Sequence, residues 1–168
     1  MKNIELASVD QIDLIMKIIN ACTRHMIDNG IFQWNEKYPT KQSFIDDINN
    51  NDLFVLKLKN KIIGCFCASF DMDEFYKQIV WKTSSKKNIY LHRFAIHPDY
   101  QGQGLAKYVM DYIENYAKEN GCLSVRLDTF SLNKKNNYLY SKLGYKKLGK
   151  IYFRDQSDMP FNCYEKLL

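Results

Sequence analysis

The sequence has no apolar run close to the about 20 residues that a membrane-spanning helix needs. Its N-terminus carries no apolar segment of the kind found in secretory signals. It also has no internal repeat, low-complexity segment or linker. These absences predict a single domain over residues 1–168 that works without a membrane, and we expect a cytoplasmic location.

Cysteine and histidine are too few and too scattered to suggest a zinc site. The chain has five cysteines and three histidines. Cys65 and Cys67 lie two residues apart on a predicted strand, but no second Cys-x-Cys pair or histidine cluster completes a ligand set. An odd number of cysteines without a secretion signal is typical of reduced thiols. We therefore expect no metal, and we expect the cysteines to be buried core side chains.

Positive charge is present but is not concentrated. The formal net charge is +5, and lysine pairs such as Lys86–Lys87 and Lys134–Lys135 are scattered along the chain. No helix-turn-helix, zinc knuckle or platform of interleaved basic and aromatic residues is visible. The pattern argues against a nucleic-acid partner and is compatible with a phosphorylated small ligand.

Apolar residues make up 46% of the chain, enough for one well-buried core. Their spacing alternates between the periods of strands and of helices. The predicted order of elements is β-α-α-β-β-β-α-β-α-β-β, which indicates a mixed sheet with helices packed on it. The predicted strands cover residues 3–7, 53–58, 61–70, 89–96, 122–128, 145–153 and 161–168.

A glycine-rich turn joins the fourth predicted strand, which ends at Ile96, to a long predicted helix. Its sequence is Asp99-Tyr100-Gln101-Gly102-Gln103-Gly104-Leu105-Ala106. The first N–H groups of a helix have no internal partner, and the helix dipole adds partial positive charge there. The turn therefore predicts an anion site suited to phosphate. A tight turn without a ligand is the alternative, because no third glycine at dinucleotide spacing and no P-loop ending is present.

Two motifs, in this order, resemble the GNAT acyl-CoA N-acyltransferase superfamily. Residues 101–106 are similar to the family's Gln/Arg-x-x-Gly-x-Gly/Ala signature. Residues 133–145 are similar to its Asn-…-Tyr-x-x-x-Gly-Phe segment, with Asn, Tyr and Gly at the usual spacing. Tyr145 replaces the family's phenylalanine, and Asn136 replaces a usual alanine.

The resemblance implies an α/β (α+β) fold with a mixed, mostly antiparallel and splayed central sheet. This sheet would have six to seven strands, with about four helices packed on both faces. The implied activity is transfer of the acetyl group of acetyl-CoA to a primary amine of a small molecule or peptide, by direct attack in a ternary complex. A non-catalytic acyl-CoA-binding or sensing module on the same scaffold is the alternative. A homodimer is left open.

The resemblance also implies a binding mode for acetyl-CoA. The pyrophosphate would lie on the turn residues Gln101, Gly102, Gln103, Gly104, Leu105 and Ala106. Pantetheine would lie between the fourth and fifth strands, against Phe94, Ala95 and Ile96, and Asn133 would hold it. A strand N–H group would polarise the thioester carbonyl. Lys107 or Lys134 would meet the outer phosphate.

The position of Tyr140 matches that of the family's usual acid. A tyrosine hydroxyl can donate a proton to the departing thiolate. The simpler interpretation of Tyr140 is a core tyrosine on a short helix.

The base is less clearly marked. Many family members carry a glutamate where this chain has Tyr90, and His92 shares a strand face with Tyr90. Arylalkylamine acetyltransferases look similar here, with a histidine at the position that matches His92. An imidazole with its ordinary pKa of about 6.5 suits proton removal at neutral pH. His92 as a purely structural residue, or a water-relayed carboxylate among Asp71, Asp73 and Glu74, are the alternatives.

We expect the acceptor site to be lined by the loop between the first two helices and by the final strand pair. Aromatic side chains with carboxylates would suit a cationic amine, whereas an aromatic cluster that caps the core would explain Trp34 equally well. The candidate residues are Phe32, Trp34, Glu36, Tyr38, Tyr90, Arg154, Asp155 and Asp158.

Overall fold

The structure is a computed structural model that describes residues 1–84 and 86–168. Within those residues seven strands form one sheet, and four α-helices pack on it. The strands are β1 (Lys2–Leu6), β2 (Leu53–Leu58), β3 (Lys61–Ser69), β4 (Asn88–Ile96), β5 (Ser124–Phe130), β6 (Lys146–Ile151) and β7 (Phe161–Leu167). The helices are α1 (Ile12–Asp28), α2 (Lys41–Asn49), α3 (Leu105–Glu119) and α4 (Lys134–Lys142). The predicted order of elements is confirmed.

The strands lie in the order β1-β2-β3-β4-β5-β7-β6. Neighbouring strands are antiparallel except for β4 and β5, which are parallel. Their pairing runs from Asn88 and Ser124 to Leu91 and Leu127, although β4 has nine residues. Beyond that pair the two strands have no ladder between them. The predicted mixed, mostly antiparallel and splayed sheet is confirmed.

Helices cover both faces of the sheet, as predicted. On one face α3 packs Val109 and Ile113 into a cluster that includes Leu91 of β4 and Leu127 of β5. On the other face α1 and α2 pack against β2 and β3. In the described part of the chain, no helix combines the length and the apolar character that crossing a membrane requires.

All five cysteines are buried and free, as predicted, with Cys65 and Cys67 in the cluster beneath α1. Burial raises the pKa of Cys67 to about 12, so its thiol stays protonated at neutral pH.

The alternation of Leu123, Val125 and Leu127 predicts that β5 has one buried face, but the structure buries both of its faces. Ser124 and Arg126 are fully buried opposite the apolar face. Arg126 Nε donates a 3.1 Å hydrogen bond to Glu165 Oε1, and Ser124 Oγ donates to the same oxygen at 2.8 Å. The guanidinium also lies 4.5 Å from the centre of the Trp81 ring. A buried polar network leaves the same polar alternation in a sequence as a solvent-exposed face does.

A bulge interrupts β4 just after the residues that pair with β5. His92 pairs with Cys67 of β3, and Ala95 pairs with Cys65, so one extra residue lies on β4. Arg93 takes a positive φ of 48° at this bulge. Bulges re-aim side chains near functional sites, and this one turns both His92 and Arg93 into the same cavity.

Candidate functional site

A cavity of about 470 Å³ opens where β4 and β5 separate. Its volume is within the range typical of small-molecule sites. Because it lies in a gap in the sheet, it receives Tyr140 from the α3–α4 face and His92, Arg93 and Asp128 from the opposite face. The described chain therefore brings polar groups to this cavity from both sides of the sheet.

The glycine-rich turn lies at the start of α3. Gly102 and Gly104 have φ values of 77° and 75°, a left-handed conformation that favours glycine. A Cβ on either glycine would meet nothing within 4 Å, so the space over the turn is open. In the described chain, the N–H groups of residues 102–106 donate to no other protein group. Gln101 Nε2 anchors the turn by donating to the carbonyl of Ile96 at 2.9 Å. The arrangement fits a pyrophosphate.

Neither of the two lysines predicted to meet the outer phosphate contacts the turn through a side-chain hydrogen bond in the described chain. Lys107 forms an ion pair with Asp111 at 2.6 Å. Lys135, which the motif did not single out, donates to Gln101 Oε1 at 3.2 Å. Its neighbour Lys134 has no such contact in the described chain. A lysine pair at a helix start does not reveal which member faces the turn.

The predicted pantetheine segment lies on the β4 edge that faces β5. Phe94 lines the cavity, whereas Ala95 and Ile96 are buried and pair with Cys65 and Gly64 of β3. Beyond Leu91 no strand of the described chain pairs with the β5-facing edge of β4. Its backbone groups are therefore available to a ligand in the cavity.

Tyr140 reaches the cavity from α4. The side chain is 4% exposed, and its ring lies 6.0 Å from the rings of both Tyr145 and Tyr164. Within the described chain its hydroxyl makes no hydrogen bond. Burial raises the pKa of Tyr140. A neutral phenol without a partner is thus held at the cavity wall.

Asn133 is buried and caps α4. Its Oδ1 accepts from the N–H of Asn136 at 3.1 Å, and its Nδ2 donates to Gln33 Oε1 at 3.2 Å. The oxygen and the nitrogen of the Asn133 side chain thus each have a hydrogen-bond partner within the protein. Asn133 fixes the start of the helix that carries Tyr140, and its hold on pantetheine stays a prediction.

His92 and Tyr90, predicted to act together, are placed apart. His92 lines the cavity, where burial and the charge of Arg93 lower its pKa to about 3. Tyr90 is fully buried, and its hydroxyl accepts from Arg126 Nη1 at 3.0 Å. Within the described residues, Tyr90 does not contribute to the cavity lining. The structure therefore does not support a contact between Tyr90 and the acceptor.

The loop between α1 and α2 supplies only part of the predicted acceptor wall. Trp34 and Tyr38 line the cavity, and the Tyr38 hydroxyl accepts from Arg93 Nη1 at 3.1 Å. Glu36 is exposed and faces a second, separate groove beside α1. Phe32, the third aromatic residue of the loop, is exposed and does not line the cavity within the described chain. A sequence without regular periodicity does not indicate which side chains turn inward.

The segment before β7 also reaches the cavity, but through other residues than predicted. Phe153 and Gln156 line it. The three predicted polar residues are exposed and do not line the cavity within the described chain: Arg154, Asp155 and Asp158. The backbone carbonyl of Asp155 instead accepts from Asn35 Nδ2 at 3.2 Å, which ties the two loops together.

Carboxylates dominate the polar lining. In the described lining Arg93 is the one arginine or lysine, and it donates two 2.6 Å hydrogen bonds to Asp47. Five aspartates line the cavity: Asp47, Asp52, Asp71, Asp73 and Asp128. No group of three or more potential metal ligands is found in the described residues.

Asp128 was not singled out from the sequence. Its Oδ1 accepts a 2.5 Å hydrogen bond from the Tyr76 hydroxyl, and burial raises its pKa to about 6. In the sequence it ends a strand on the side that the polar alternation assigns to solvent. The sequence signal that could have found it is the two-residue period of the strand. This period puts Asp128 on the same face as Arg126 and on the opposite face from Leu127.

Comparisons with known proteins agree with this geometry. The model of the acetyltransferase (GNAT) family matches residues 13–145. A GNAT family acetyltransferase from Streptococcus agalactiae is 27% identical, with 99% of this chain and 95% of that chain covered and a TM-score of 0.85. An acetyltransferase from Salmonella typhimurium, solved with acetyl-CoA, shares the fold at 15% identity and a TM-score of 0.73, with 100% and 94% covered.

A shorter match links the chain to a curated relative. Thialysine N-ε-acetyltransferase from pig is 33% identical over 69 residues, which are 41% of this chain and 41% of the pig protein. The chain thus spans about two fifths of the length of the curated relatives it matches.

Proposed function

This chain belongs to the acetyltransferase (GNAT) family, and we propose that it transfers the acetyl group of acetyl-CoA to a primary amine by direct attack in a ternary complex. The observation that carries this proposal is the cavity at the splay between β4 and β5. It holds Tyr140 on one side of the sheet and His92 and Asp128 on the other. A donor and acceptors of protons thus face the same space from opposite directions.

The residues present fit acetyl-CoA. The open N–H groups of residues 102–106 suit its pyrophosphate, because helix N-termini favour anions. The unpaired edge of β4 near Phe94 suits its amide-bearing arm. An N–H group on that edge would stabilise negative charge on the thioester oxygen during attack, as oxyanion-hole donors do.

Tyr140 is our proposed acid. Its pKa is raised by burial, so it remains protonated at neutral pH. Tyr140 lines the cavity, and its hydroxyl makes no hydrogen bond within the described chain. It can therefore donate to the sulfur as the C–S bond breaks.

The acceptor amine has a pKa of about 10 and arrives protonated, so a group in the cavity must take a proton before the nitrogen can attack. His92 is the base proposed from the sequence. Its neutral ring can accept a hydrogen bond, although a pKa of about 3 makes the imidazolium form unfavourable. Proton transfer through water to a carboxylate is the second proposed route.

The acceptor that suits this cavity is a cationic amine. Five carboxylates against one arginine give the lining an acidic character in a chain whose net charge is +5. An ammonium group is attracted into such a cavity, whereas a neutral or anionic acceptor is not. Trp34 and Tyr38 add aromatic surface for a carbon chain. The acceptor of the pig relative, thialysine, is an amine of this type.

The proposal is tested by thiol release from acetyl-CoA against a panel of polyamines, arylalkylamines, amino acids, aminoglycosides and short peptides. Calorimetric binding of acetyl-CoA is measured on the same sample. We expect binding with turnover, fastest for amines that carry a second cationic group. Binding without turnover on any amine would favour a sensing module, and absence of binding would contradict the proposal.

A further inference from the structure

We propose that Asp128 is the catalytic base that takes the proton from the acceptor amine, and that Tyr76 positions it. This inference rests on the proposed function, because it assigns a role within the acetyl transfer. It assigns to Asp128 the role that the sequence assigned to His92, and it leaves the acid Tyr140 and the turn that begins α3 unchanged.

Asp128 lies at the point where β4 and β5 begin to separate. Leu127 forms the last pair with β4, and Asp128 is the next residue on β5. His92 is the corresponding first residue of β4 beyond the pairing. Asp128 lines the cavity from the face opposite α4, whereas Tyr140 lines it from the α4 side. An amine near Asp128 and a leaving thiolate near Tyr140 would thus each have a proton-transfer group on its own side of the gap.

Tyr76 holds the carboxylate in one orientation. It lies in the 3-10 helix Glu74–Gln78 and is fully buried. Its hydroxyl donates to Asp128 Oδ1 at 2.5 Å, and its own carbonyl accepts from Trp81 Nε1 at 2.9 Å. In the described chain, Asp128 Oδ2 has no hydrogen-bond partner. This second oxygen is therefore left for the acceptor amine.

The surroundings make Asp128 a stronger base than an ordinary aspartate. Burial and the charge of Asp73 raise its pKa to about 6, against the Tyr76 hydrogen bond and Arg93, which lower it. At neutral pH it is therefore ionised, with a pKa close to the working range. The other titratable or charged groups that face it or line its cavity in the described chain are Tyr38, Asp47, Asp52, Cys67, Asp71, His92, Arg93, Tyr140 and Cys163.

The proton balance of the reaction is met by two groups. Asp128 takes one proton from the ammonium group, and the freed lone pair forms the C–N bond to the acetyl carbon. The C–S bond breaks with its electron pair on sulfur. Tyr140 gives its proton to the sulfur, and the tyrosinate that results takes up the nitrogen's second proton. The products are the amide, the thiol, a neutral Tyr140 and a protonated Asp128 that later releases its proton to water.

The test compares Asp128→Asn with His92→Gln, using 1,4-diaminobutane as acceptor and kcat/KM measured against pH. Each variant is first shown to bind acetyl-CoA as the unaltered protein does. For Asp128→Asn we expect kcat/KM to fall about 100-fold near neutral pH, the typical contribution of a base. In the unaltered protein kcat/KM should fall on the acid side of its pH profile, near the Asp128 pKa of about 6. We expect this fall, the acid limb of the profile, to disappear in Asp128→Asn. His92→Gln should keep that limb. A retained limb and rate in Asp128→Asn would overturn the inference.

Tyr76→Phe tests the positioning role. Removing the hydroxyl removes a hydrogen bond that lowers the Asp128 pKa, so the acid limb should move to higher pH. A purely structural role would lower the rate without moving the limb.

A carbon NMR titration of labelled aspartate carboxyl groups follows the Asp128 signal without any acceptor. We expect it to titrate near 6, and higher in Tyr76→Phe. Titration at the ordinary value of about 4 would overturn the inference. If the unaltered protein turns over and Asp128→Asn turns over equally well, only the role of Asp128 as base is contradicted. If the unaltered protein turns over none of the amines in the panel, the proposed acetyl transfer is contradicted, and the role of Asp128 with it.

Discussion

Leu91 and Leu127 form the last residue pair of the parallel ladder between β4 and β5. Both side chains belong to the core under α3, so the two strands are held together up to this point and separate immediately after it. The next residues, His92 and Asp128, line the cavity. The position of this pair decides where a ligand can pass through the sheet.

Gly104→Val should remove acetyl-CoA binding. A branched side chain at a φ of 75° is strained, by about 1–2 kcal/mol, and would cover the open N–H groups of the turn. Gly30→Val is the matched control, because Gly30 has a φ of 72° and also has nothing within 4 Å of an added Cβ. Both variants should lose similar thermal stability. Calorimetry should show lost affinity in Gly104→Val alone, and equal affinities would refute the pyrophosphate assignment.

Tyr140→Phe should lower kcat by a factor of about 10²–10⁴ while acetyl-CoA still binds, because only the proton donor is removed. Tyr145→Phe is its control, since Tyr145 is also buried and packs against Tyr140, but its hydroxyl donates to Glu114 at 3.2 Å. That variant should lose about 1 kcal/mol of stability and keep its kcat. Full activity in Tyr140→Phe would exclude it as the acid.

Asp128→Asn should raise the thermal stability of the protein at alkaline pH. The folded-state pKa of about 6 lies above the unfolded value of about 4, so the ionised carboxylate is less favourable in the fold than in the unfolded chain. The cost is fully present above the folded pKa and disappears as pH falls toward the unfolded value. We expect the difference in Tm between variant and parent to shrink accordingly. Equal Tm values at every pH would show that Asp128 is not buried as described.

Asp71→Asn should raise KM for 1,4-diaminobutane with little change in kcat. Asp71 lines the cavity, and its loss weakens the attraction for a dication, an effect that salt also screens. Asp10→Asn removes the same charge at an exposed site outside the cavity and should leave KM unchanged. If both substitutions change KM equally, overall charge and not the cavity attracts the amine.

Much of the fold followed from the sequence because periodicity and turn chemistry report it directly. The order of elements and the glycines that begin α3 were predicted from such local signals. The motif around Tyr140 placed that residue on α4, and the structure then brought it to the cavity.

The rest of the site depends on contacts that no local pattern reports. Asp128 meets Tyr76 across 52 residues of sequence, and Arg93 meets Asp47 across 46. The bulge at Arg93 shifts the phase of β4, so alternation alone could not assign its side chains to a face. The loop that carries Glu36 has no regular period. The sequence correctly predicted that this loop lines the cavity, but Glu36 itself faces a separate groove.

The most direct test of the account follows the acetyl group itself. The protein is incubated with deuterated acetyl-CoA and 1,4-diaminobutane, and mass spectrometry measures labelled amide in the unaltered protein and in Tyr140→Phe. We expect labelled N-acetyl product from the unaltered protein and a strongly reduced amount from the variant. No labelled amide from the unaltered protein, with acetyl-CoA still bound, would contradict transfer to a cationic amine in this cavity.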